Sequence, residues 1–98
     1  MNNIKWLEVF DWLQNENISF QLKTLLSIEQ SYCDFIRELE STSILIDDSG
    51  DFTEFLEIEF VRTDSSDALL KFLLGSKISF NQTENRIQIN GYEFMAKS

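Results

Sequence analysis

An α+β fold is what the 98-residue sequence predicts: about three helices packed on an antiparallel sheet of four or five strands built from hairpins. Three observations predict it. Apolar residues open the chain at helical spacing, the apolar period shortens to two from Ser43 onward, and an Asn-Gly pair separates two alternating runs near the C-terminus. With 43% hydrophobic residues, nine Phe and two Trp, residues 1–98 have apolar surface for one core and form a single domain.

Trp6, Val9, Phe10 and Leu13 stand at i, i+3, i+4 and i+7, and Asn2 or Asn3 is placed to cap, so a helix is expected over Ile4 to Leu13. Trp12 lies off that stripe, and Asn15, Glu16 and Asn17 break the pattern. Ile18 to Leu26 fits both periods: Ile18, Phe20 and Leu22 alternate, while Ile18, Leu22, Leu25 and Leu26 share a helical face. The helical reading is taken here, with the strand left open. Ser27 and Gln30 have the spacing of a capping box, and Ile28, Tyr32, Phe35, Ile36 and Leu39 continue as one helical stripe to Glu40.

Ile44 to Ile46 is a short strand, Asp48-Ser49-Gly50-Asp51 is dense in turn formers, and Leu56, Ile58 and Phe60 alternate with Glu57, Glu59 and Val61. A half-buried hairpin with an acidic outer face follows. A helix is expected from Ser66 to Leu74, capped by Asp64 or Ser65 and closed by Gly75 in the left-handed conformation. It is apolar nearly all round. Lys77 to Phe80 should pair, through a polar loop Asn81 to Asn85, with a hairpin turning at Asn90-Gly91, in which Ile87 faces Phe94 and Ile89 faces Tyr92.

Charge is the strongest functional signal. The formal net charge is −9, and Glu29 to Asp67 holds twelve acids against two bases, Arg37 and Arg62. The rest of the chain is nearly balanced, so the excess is a patch, and a patch implies a partner that is cationic there. It argues against direct nucleic-acid binding, which needs Lys and Arg on the phosphates. No apolar run approaches a membrane span, and MNNIKWLEVFDWLQ lacks the features of a signal peptide, so a cytoplasmic protein is expected.

Catalytic signals are weak. The chain has no histidine, which removes Ser-His and Cys-His units and the commonest metal ligand. Cys33 is the single cysteine and reads as a buried structural thiol. Counted from Asp47 as a calcium loop, the sixth and twelfth positions are Phe52 and Ile58 instead of Gly and Glu, so that match fails. Asp51 with Glu57 and Glu59 resembles a metal-nuclease carboxylate set, but the strand continues Phe60-Val61-Arg62 without the accompanying lysine. The three glycines are isolated, so there is no phosphate-cradling loop. No catalytic, cofactor or metal residue is assigned, and the protein is expected not to be an enzyme.

The expected site is a partner-binding surface made of Asp48, Asp51, Glu54, Phe55, Glu57 and Glu59, aromatic at its centre and acidic at its rim. The function this composition suits best is a bacterial immunity protein or antitoxin that covers the cationic active site of a basic toxin, nuclease in type. Two alternatives stand beside it: a phage-type nucleic-acid mimic, and an adaptor whose acidity serves solubility and whose Ser66 to Leu74 helix docks on another subunit or on its own kind.

Overall fold

The computed structural model describes residues 1–41 and 43–92. Among these, two helices and two antiparallel sheets enclose one core. The α+β class is as expected; the count of about three helices is not, because Ile28 to Glu40, read as a helix, is strand.

Helix α1 (Asn3–Asn15) begins where the Asn2 side chain accepts from the Lys5 amide at 2.9 Å, and it buries Trp6, Val9, Phe10 and Leu13 as the stripe predicts. Helix α2 (Asp67–Gly75) is capped by Ser66, whose hydroxyl accepts from the Leu69 amide, one or two residues later than expected. Both helices end in the same way. Asn17 and Lys77 adopt left-handed conformations (φ 60° and 58°), and the following amides, Ile18 and Ile78, bond back to Leu13 and Leu73. This is the Schellman closure, with an apolar pair bridging it each time. The Leu73 and Ile78 pair sets its register, which is why the left-handed residue is Lys77 and not Gly75.

The large sheet has the order β2-β1-β6-β8-β7, from β1 (Phe20–Thr24), β2 (Ser31–Cys33), β6 (Ile58–Asp64), β7 (Asn81–Thr83) and β8 (Arg86–Asn90). The small sheet is β3-β4-β5, from β3 (Ile36–Glu40), β4 (Ile44–Asp47) and β5 (Phe52–Glu54). A 3₁₀ turn, Phe55–Glu57, carries the chain from one sheet to the other.

Several sequence expectations are corrected here. The preferred helix over Ile18 to Leu26 is strand β1, the alternative that period 2 left open. The stripe from Ile28 to Glu40 is β2 and β3: a helix would have buried Ile28, Tyr32 and Phe35, which are all exposed, whereas Cys33 and Ile36 are buried. Ser27 does not cap a helix; its hydroxyl holds the Thr24 backbone in a turn. The hairpin of Ile44 to Ile46 closes on Phe52 to Glu54, not on Leu56 to Phe60, which belongs to the other sheet. Lys77 to Phe80 is unpaired, and the hairpin partner of β8 is Asn81 to Thr83, turning at Glu84 and Asn85. Asn90 and Gly91 lack the positive φ of a type I′ turn, and the Phe94 half of that expected hairpin lies outside the described residues. Instead Gly91 ends the strand: its amide bonds to the Glu59 carbonyl at 2.7 Å, and a Cβ there would collide with the Ile58 carbonyl oxygen.

The core joins both sheets through α1. Phe10 stands at its centre, with ring centroids 5.2 Å from Trp6, 5.8 Å from Phe20 on β1 and 5.3 Å from Phe55 on the 3₁₀ turn. Leu22, Val61 and Ile89 form a cross-strand row on the inner face of the large sheet, and Leu45 points into the same core from the small one. Trp12 stacks on Phe72 at 5.2 Å, and Leu69 and Leu73 are fully buried, so most of the apolar surface of α2 is already covered. No helix of the described residues is long and apolar enough to cross a membrane.

Candidate acidic docking face

Antiparallel pairing places directly opposed residues on the same side of a sheet. In the small sheet Glu40, Ile44 and Glu54 form one cross-strand row, and Glu38, Ile46 and Phe52 form the next. Leu39 and Leu45, between them in sequence, pack inward, so both rows face out. Phe52 is 65% exposed on the edge strand of this face; Ile46, its neighbour on the central strand, is covered, and Ile44 is half-buried. Glu40 and Glu54 flank Ile44 at two interstrand spacings, about 10 Å apart. At physiological salt that distance exceeds the screening length of roughly 8 Å, so the free protein tolerates the like charges.

The opposite end of the sheet is the β4–β5 turn, which carries Asp48 and Asp51. Its shape is fixed from within. The Asp47 carboxylate accepts from the Ser49 and Asp51 amides at 2.9 and 3.0 Å, Gly50 takes a φ of 89°, and Arg37 donates to the Asp48 carbonyl at 3.0 Å. Arg37 is the only base between residues 36 and 54. One Asp48 carboxylate oxygen is buried and makes no hydrogen bond. Next to this turn, burial pushes the Cys33 thiol up to about 11; the charges of Asp48 and Asp47 also raise it, against the lowering effect of the backbone amides. The thiol donates to the Phe35 carbonyl and is buried, as expected, although on a strand and not a helix. Among the described residues no three acids or cysteines converge to hold a metal ion.

Of the six residues expected to bind a partner, the structure puts Glu54 on this face and Asp51 at its end in the β4–β5 turn, where Asp48 is half-buried. Phe55 is the clear correction: at 1% exposure it is a core residue, because the 3₁₀ turn rotates it inward and puts Leu56 outside. Glu57 and Glu59 leave the face with the chain. Glu57 ends the 3₁₀ turn, and Glu59 on β6 holds the Lys23 ammonium at 2.5 Å. Val61, expected beside the glutamates, is buried as well. Glu38 and Glu40 were missed, while Phe52, one of the candidate surface aromatics of the sequence, is exposed where Phe55 is not. The signal for the two glutamates was the short alternation Glu38-Leu39-Glu40, which a helical stripe obscured because the bulge between Ile36 and Glu38 breaks the period before it.

Comparison of the chain with protein-family models, with curated proteins and with solved structures gives no match.

Proposed function

We propose that this is a binding protein, not an enzyme, and that the outer face of the small sheet covers a cationic surface on a basic protein. The reading carried furthest is that of an inhibitor of the immunity or antitoxin type, with a basic nuclease toxin as the partner. The observation that supports it is the composition of one face: an exposed Phe52 on the edge strand, with Glu54 on the same strand, Glu38 and Glu40 on the opposite edge strand and Asp51 in the turn, on a short, internally braced sheet. An aromatic anchor inside a charged rim is the usual make-up of an interface hot spot. Clustered carboxylates also accelerate encounter with a cationic partner and raise the cost of wrong ones. A toxin nuclease must itself be basic to hold RNA or DNA, so its active site is a natural complement.

An adaptor function has its own support. Leu25, Leu26 and Ile28 project from the β1–β2 loop, and Leu26 and Ile28 are the most exposed apolar residues described. Affinity capture from the native cell distinguishes the two readings. The inhibitor reading expects a basic, nucleic-acid-active protein that is released by salt and is no longer captured by Glu38→Lys/Glu54→Lys. Capture of a neutral subunit that depends on Leu26 and Ile28 and is indifferent to salt would replace it with the adaptor.

A further inference from the structure

The outer face of the large sheet has a different chemistry. Arg62, Gln88 and Asn81 form one cross-strand row over β6, β8 and β7, and Asp64, Arg86 and Thr83 form the next. Arg62, Gln88, Asn81, Thr83 and Arg86 line an open pocket of about 320 Å³. We infer that this pocket binds a small phosphate-type oxyanion, free phosphate or the phosphate group of a small ester, between the Arg62 and Arg86 guanidinium groups.

The cations on this face are compensated unequally. Lys23 is spent on Glu59 at 2.5 Å. Among the described residues no carboxylate pairs with Arg62. Its Nε and Nη2 donate to the Gln88 amide oxygen at 3.1 and 2.6 Å, Gln88 donates in turn to Asn90, and the guanidinium lies 4.8 Å from the centre of the Phe60 ring. The neutral acceptor and the ring orient the charge without neutralising it. Among the described residues Arg86 forms an ion pair with Asp64 alone, at 3.8 Å, and the Asp64 side chain is 92% exposed, so solvent screens the pair.

Arg62 and Arg86 are diagonal neighbours across β6 and β8, about 7–8 Å apart, a gap that the Arg86 fork and the Arg62 Nη1, the nitrogen that Gln88 does not engage, can close on one tetrahedral anion. Asn81 and Thr83 add an amide and a hydroxyl donor from the third side. The β7 wall is held in place, since Ser65 receives the Gln82 side chain and its amide bonds to the Asn85 carbonyl. A small ligand fits better than a nucleic acid, whose other phosphates would meet a chain of net charge −9. This site stands apart from the acidic face and does not depend on its role.

The test is an NMR titration of the labelled protein with inorganic phosphate and with pyrophosphate, sodium chloride holding the ionic strength constant. The expected result is saturable shifts of the Asn81, Thr83 and Gln88 amides with half-saturation near ~1 mM. Arg86→Gln and Arg62→Gln should each weaken it at least about tenfold, and Lys71→Gln, on the exposed side of α2, should leave it unchanged. Arg86 lacks the Gln88 and Phe60 contacts that tie Arg62 to the sheet, so its variant reads the site even if Arg62→Gln disturbs the sheet. Shifts that grow linearly without saturation, or an equal loss in Lys71→Gln, would overturn the assignment.

Discussion

The two sheets obey the same pairing rules and present opposite surfaces. The small sheet turns carboxylates outward around an exposed Phe52, whereas the large one turns out arginines and amides that hydrogen-bond one another. Inward, the two are alike: Leu45 on one and Ile89 on the other are fully buried in one core. The difference teaches that charge here is a property of outward-facing rows and not of the chain as a whole. Stability is shared between the sheets, and recognition can differ between them.

The sharpest way to break this comparison is through the shared core. Leu45→Ala and Ile89→Ala should each lower stability by about 3 kcal/mol, with a single cooperative transition by calorimetry. A small sheet that melted separately, or lost far less with Leu45→Ala, would make it an appendage of the large one. Gly91→Val tests where the large sheet meets α1. The new side chain would press on the Ile58 carbonyl and on the Trp6 ring, whose Cζ2 is 3.2 Å from the Cβ position, at a cost of about 3 kcal/mol. An unchanged melting temperature would remove that close approach from the account.

Cys33 reports on the region between the sheets. Its thiol titrates at about 11 in the fold, up from 9.0, so the native state keeps a proton that the unfolded chain releases. The stabilisation is complete below pH 9.0 and is lost as pH rises toward about 11. Urea melts across that window should show a steeper decline for the parent than for Cys33→Ala; parallel curves would mean that the thiol is not shielded. A smaller effect is expected at Glu59, where Glu59→Lys sets like charges on Lys23 and should cost about 1 kcal/mol, while Glu38→Lys/Glu54→Lys should cost less.

How much of this was legible in the sequence follows from range. Helix α1 was readable because its stripe, cap and apolar partner lie within a dozen residues, and the β4 strand with its acidic turn was readable for the same reason. β2 and β3 were not. Tyr32, Phe35 and Leu39 mimic a helical stripe, and what decides against it is the pairing of Phe20 with Cys33 and of Glu40 with Ile44, contacts that helical spacing does not encode. The same missing topology placed Phe55 and Glu59 on the acidic face. A 3₁₀ turn of three residues was enough to bury one and carry the other to a different sheet.

The central claim is that one face, and not the net charge, recognises the partner. It is tested most directly by the association rate with the captured partner over a range of salt concentrations, measured for two variants that change net charge equally. Glu38→Lys/Glu54→Lys reverses two acids of the small sheet, and Asp64→Lys/Glu84→Lys reverses two exposed acids of the large one. The account predicts that the first variant slows association at least about tenfold and flattens its salt dependence, while the second stays within about twofold of the parent at physiological salt. Equal slowing by both variants would contradict it, because recognition would then follow the total charge.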